Sequence, residues 1–196
     1  MKFQLIGTCL GAALGAPALL AAQSAELPAA QQIQAAVAAA PAELRDGAAV
    51  MGFKGKALVP LREGKNDMVC LADDPAIEKF HVACYHKGLE PFMARGRSLR
   101  AEGVKDPMRD SVRFKEIVSG KLKMPSTPSA LYTLSGPEGS FDPATGKVTG
   151  ASWLYVVYIP GATLASTGIS ERPAKGAPWI MFPGTPKAHI MFTPSM

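Results

Sequence analysis

The sequence predicts an α+β fold: an antiparallel sheet with two consecutive helices packed on one face. Short apolar runs bounded by Gly, Pro, Asn and Asp occupy residues 48–85 and 130–192, and between them residues 89–120 switch to helical spacing. Because the two helical patterns follow one another instead of alternating with strands, a parallel βαβ sheet is disfavoured.

The chain of 196 residues begins with a pattern that belongs to export rather than to the fold. Lys2 precedes an apolar run from Leu5 to Leu20, and Leu20-Ala21-Ala22 offers a small-residue cleavage site before Gln23, so residues 1–22 read as a signal peptide. An uncleaved span is disfavoured by Gly7, Gly11, Gly15 and Pro17, and Cys9 sits inside the run rather than at a lipoprotein cleavage point. Residues 23–196 are then expected to form a single domain in the periplasm or outside the cell, with no further transmembrane segment.

Pro28 to Glu43 is Ala- and Gln-rich and weakly amphipathic, which predicts a short helix within a segment, 23–47, prone to fraying. Ala48–Phe53 and Lys56–Leu61 flank Lys54-Gly55, a tight hairpin signal, and a turn at 63–67 leads to Met68–Ala72, giving a three-stranded meander. Asp74-Pro75 suits the cap of one helical turn, and Phe80–Tyr85 suits a strand. Leu89, Phe92, Met93, Gly96 and Leu99 then share one helical face ending at Gly103. A second helix runs from Asp106-Pro107 to Gly120 with Met108, Val112, Ile117 and Val118 as its expected inner face.

Extended structure resumes at Ala130–Leu134. Asp142-Pro143-Ala144-Thr145-Gly146 is a hairpin turn, because Pro presets its first dihedral and Gly supplies a positive φ. Trp153–Ile159 is apolar on both alternating faces, as expected of a central strand covered on both sides. After a loop at 163–178, Trp179–Phe182 and Ala188–Phe192 flank Pro183-Gly184-Thr185-Pro186-Lys187 as a final hairpin.

Without residues 1–22, 20 basic side chains face 16 acidic ones, a net +4. The excess is local, since Lys87–Lys123 holds ten Lys or Arg against five Asp or Glu. Arg95, Arg97, Arg100, Arg109 and Arg113 are therefore candidates for binding an anionic envelope component. Nucleic acid is disfavoured for an exported chain without interleaved aromatics.

Cys70 and Cys84, the two cysteines left after cleavage, are expected to form a disulfide. With His81 and His86 they also make up a zinc set in kind, although strand alternation separates His81 from the others. His189, Met191 and Met181 offer a weaker soft-metal set. No nucleophile elbow, phosphate loop or dinucleotide fingerprint is present, so no cofactor is expected. Candidate pocket residues are His81, His86, His189, Tyr85 and Trp179.

At Cys84-Tyr85-His86, Leu89-Glu90-Pro91-Phe92-Met93 and Pro183 to Met191, the chain resembles an uncharacterised family of small exported bacterial proteins, a resemblance that implies no activity. The leading functional expectation is an exported domain, stapled by one disulfide, that binds a small molecule or envelope component without catalysis. The alternative is a small secreted enzyme or metal protein using His81, His86 or His189.

Overall fold

The structure is a computed structural model describing residues 26–174 and 176–194, so the expected signal peptide, 1–22, lies outside the described residues. Its helices are α1 (Ala29–Val37), α2 (Glu90–Ala101), α3 (Met108–Val118) and α4 (Leu164–Thr167). Its strands are β1 (Ala49–Lys54), β2 (Ala57–Arg62), β3 (Met68–Leu71), β4 (Lys79–His86), β5 (Ser129–Pro137), β6 (Phe141–Asp142), β7 (Lys147–Val148), β8 (Ser152–Tyr158), β9 (Trp179–Met181) and β10 (His189–Phe192). Eight strands form one sheet in the order β2-β1-β3-β4-β5-β8-β10-β9, while β6 and β7 make a separate hairpin.

The fold is α+β, but the sheet is mixed rather than wholly antiparallel. The expected meander is corrected: β1 and β2 pair as a hairpin, yet β3 lies on the other side of β1 and runs parallel to it. The crossing segment is fastened by Asn66, whose Nδ2 donates to Leu44 O at 2.8 Å and whose Oδ1 accepts Met68 N–H at 3.0 Å. Both Lys65 and Asn66 also donate their backbone N–H to Gly47 O.

Alternation along β4 divides the core. Phe80, Val82 and Cys84 join one apolar cluster, and Tyr85 joins the other. The first cluster includes Ala35, Ala36, Ala39 and Ala40, so the segment expected to fray is instead a core element whose small side chains admit close approach to the sheet. Its Gln32 is buried but satisfied: it accepts Phe53 N–H at 2.7 Å and donates to Leu27 O and Phe53 O. The second cluster packs Phe92 and Met93 of α2 and Ile117 of α3 with Tyr85, Val156 and Tyr158. Helical cover therefore comes from both faces.

The inner face expected of α3 is also corrected. Met108 is 61% and Val118 85% exposed, whereas Arg113 is only 7% exposed. The guanidinium occupies space left by Gly96 of α2 and lies over the Phe92 ring, 3.9 Å from its centroid. Asp74-Pro75 forms a turn rather than a helical turn, with Asp74 Oδ1 accepting Ala76 N–H at 3.0 Å. Among the described residues no helix is long and apolar enough to cross a membrane.

Candidate functional site

Cys70 and Cys84 face each other across β3 and β4, both fully buried, and are joined as a disulfide with Cα atoms 4.0 Å apart. The bond uses both thiolates, which removes the zinc set they would have formed with His81 and His86. Among the described residues no group of three or more His, Cys, Asp or Glu side chains is placed to hold a metal.

The other residues singled out in the sequence do not converge on one site. His81 Nδ1 meets Ser135 Oγ at 2.7 Å. His86 Nδ1 accepts Gly88 N–H at 3.1 Å and its other ring nitrogen lies 3.9 Å from Asp67. Tyr85 is buried, donates to Glu90 Oε2 at 2.5 Å and accepts Arg97 Nη1 at 2.9 Å. Burial, helped by Glu90, holds its phenol above the ordinary value. Trp179 is a buried packing residue opposite Met191.

The five arginines form no free cationic patch. Arg95 is held by Glu116 at 2.7 Å and Glu102 at 3.4 Å, and Arg97 by Glu90 at 2.5 Å. Arg109 pairs with Asp106 and Arg113 with Asp110. The acids interspersed along the same helices supply these partners, leaving only Arg100 of the five without a carboxylate partner among the described residues.

At the C-terminal hairpin, Asp110 also accepts Lys187 Nζ at 2.9 Å, tying α3 to the β9–β10 turn. Burial works to raise the pKa of Asp110, but its bonds to Lys187 and Arg113 outweigh this and hold it below the ordinary value. His189 is buried, donates its Nδ1–H to Lys187 O at 2.7 Å and packs 5.0 Å from the Tyr158 ring. Burial depresses its pKa, outweighing the hydrogen bond to Lys187 O, which acts to raise it. Phe182, at φ +53°, lies over both Lys187 and His189. Met181 stands directly opposite His189, and Met191 follows it on the same strand face.

On the opposite face of the sheet is a cleft of ≈ 260 Å³ between the start of α1, the end of β1, the 73–79 loop and the β5–β6 turn. Phe53, Phe80 and Phe141 line it, the last two stacked with planes 9° apart and centroids at 6.5 Å. Asp73 lines the cleft and accepts His81 N–H at 2.8 Å, but no Lys, Arg or His pairs with it among the described residues. Burial pushes its pKa up to about 6, with Asp74 and Glu138 adding in the same direction against the His81 hydrogen bond. Glu26 and Glu138 also line the cleft, with Lys79 as its one cation among the described residues. No Ser, Cys, His or Tyr is among the described residues that line it.

A second, more open groove of ≈ 480 Å³ is bordered by Tyr132, Tyr155, Val157, Phe192 and Pro194, with no charged residue among the described residues lining it. The cleft beside Asp73 is the better candidate because it combines apolar walls with a perturbed polar group. Sequence reasoning missed it. The adjacent acids Asp73 and Asp74 in a basic chain were a signal, but the place of Asp73 in one cleft with Leu27 and Phe141 is tertiary.

No family model, curated protein or solved structure matches the chain.

Proposed function

We propose that this is an exported, disulfide-stapled domain that binds a small molecule in the cleft beside Asp73 without transforming it. Export rests on the pattern of residues 1–22 and agrees with a buried disulfide, which persists in oxidising compartments. The observation that carries binding is a half-buried carboxylate, with no ion-pair partner among the described residues, at the edge of an aromatic-walled cleft. Such a group costs desolvation free energy that a bound ligand can offset. Binding is favoured over catalysis because among the described residues no side chain lies within hydrogen-bond distance of the Asp73 carboxylate to form an acid–base or nucleophile–base pair with it.

A titration with the neutral single-ring probe neopentylbenzene, followed by amide chemical shifts, tests the reading. Shifts should concentrate at Leu27, Phe53, Asp73, Ile77 and Gly139, which line the cleft. Shifts confined to Tyr132, Tyr155 and Phe192 would move the site to the open groove, and no shifts anywhere would remove the cleft from consideration.

The second reading, a small enzyme, draws on His189. Its Nδ1–H is fixed by Lys187 O, which leaves the other ring nitrogen as the acceptor in the neutral tautomer, beside the Asp110–Lys187 pair. His81 and His86 have no comparable surroundings, since one bonds a serine and the other caps a turn.

A further inference from the structure

We infer that the ligand of the Asp73 cleft is a small organic cation, an ammonium group carried on an apolar or aromatic body. The inference rests on the reading of the cleft as a small-molecule site and adds the chemical class. Charge complementarity is the first argument. Among the described residues Asp73, Glu138 and Glu26 line the cleft against Lys79 alone, in a chain whose pI is about 9.2 and whose helical arginines, Arg100 apart, are already paired. A basic protein thus presents a locally negative recess, and an anionic ligand would meet carboxylates it has no cation to offset.

The walls supply the second argument. Half-exposed Phe53, backed by the buried Phe80 and Phe141, presents aromatic carbon, and an aromatic face attracts a cation through its quadrupole while also burying apolar surface. A neutral apolar ligand would use the walls but leave Asp73 further desolvated and still unpaired. A cation satisfies both parts of the site. At ≈ 260 Å³ the cleft lies just below the range of about 300–1,000 Å³ usual for drug-sized ligands, which favours a single ring or short branched chain.

Glu26 has a fixed place in this arrangement. Its Oε2 accepts Gly55 N–H at 2.6 Å, so the start of the described chain is held against the β1–β2 turn and closes one side of the cleft. Asp73 is held from the other side by His81 N–H. Its carboxylate is thus oriented before a ligand arrives, which lowers the ordering cost of binding.

Calorimetry and amide shifts with three probes of similar size test the class: benzyltrimethylammonium, its uncharged isostere neopentylbenzene, and phenylacetate. At pH 7.5 the ammonium should bind about tenfold or more tighter than either other probe, a ratio within reach of one ion pair plus a cation–π contact. Asp73→Asn keeps an oxygen for His81 N–H and should erase most of that preference while leaving neopentylbenzene binding unchanged. Glu138→Gln, at an exposed position, should weaken the ammonium by a few-fold and serves as the second variant should Asp73→Asn fold poorly. Equal binding of all three probes with shifts at Leu27, Phe53 and Gly139 would overturn the cation class and leave the cleft as a binding site. No shifts from any probe would overturn both. Tight ammonium binding that survives Asp73→Asn and Glu138→Gln would overturn the role given to these carboxylates.

Discussion

Asp73 Oδ1 accepts the backbone N–H of His81 at 2.8 Å, and this hydrogen bond does not offset the burial of the carboxylate, whose pKa stands at about 6 against an ordinary 3.8. In the folded state Asp73 therefore holds a proton between about pH 4 and 6 that the unfolded chain has released. Stability falls as pH rises through that window, and the penalty is complete above it.

Asp73→Asn removes this titration. At pH 7.5 the variant should be more stable than the wild type by about 1–2 kcal/mol, because each pH unit separating the folded and unfolded titrations is worth about 1.4 kcal/mol and solvent screens part of this for a half-buried carboxylate. The difference should shrink toward zero near pH 3.5. Urea denaturation of both proteins at the two pH values measures it, and an equal difference at both would show that Asp73 is not the titrating group.

The disulfide predicts a second outcome. Cys70 and Cys84 lie at the middle of the sheet, where β3 joins β4, with a sequence separation of 14. Replacing both by Ala should cost about 2–5 kcal/mol. Protein spanning residues 23–196 and recovered from an oxidising compartment should show no thiol that can be alkylated without reduction, and two reactive thiols there would contradict the bond.

These residues also mark how far the sequence was legible. Strand positions, the β1–β2 and β9–β10 hairpins, and the cysteine pair follow from local spacing and turn chemistry, which depend on neighbours in sequence. The place of β3 beside β1 does not, because alternation assigns a residue to a face without naming the neighbouring strand. Arg113 was expected among exposed cations for a similar reason. Its burial depends on a gap at Gly96 and on the Phe92 ring, both on another helix. Asp73 carried a local signal only as part of a turn, since its walls come from α1, β1 and the β6 region.

Gly96→Ala tests the Arg113 packing. In an exposed helix the change would stabilise by about 1 kcal/mol, since Ala is the better helix former. Here the added Cβ would stand 2.7 Å from Arg113 Nη1, and the guanidinium is held by Asp110 and Phe92 and cannot swing away freely. Overpacking should dominate and destabilise by about 1–3 kcal/mol. A higher melting temperature in the variant would mean that Arg113 moves without loss.

His189→Gln separates the two functional readings. The ring packs against Tyr158 and Phe182 and donates to Lys187 O, so its loss should cost about 1–2 kcal/mol at pH 7.5 through lost aromatic contact and a weakened hydrogen bond. Burial depresses the folded-state pKa of His189 below its ordinary 6.5. As pH falls below about 6.5 the unfolded chain takes up a proton first, so wild-type stability drops on acidification by an increment the Gln variant lacks. The two stability curves should therefore converge as the pH falls below about 6.5. Asp73 titrates in both proteins and cancels from their difference, because it belongs to the opposite face of the sheet. For the same reason, benzyltrimethylammonium should bind the variant as it binds the wild type wherever both are folded. Unchanged melting with binding abolished would instead place the functional site at the C-terminal hairpin and favour the enzyme reading.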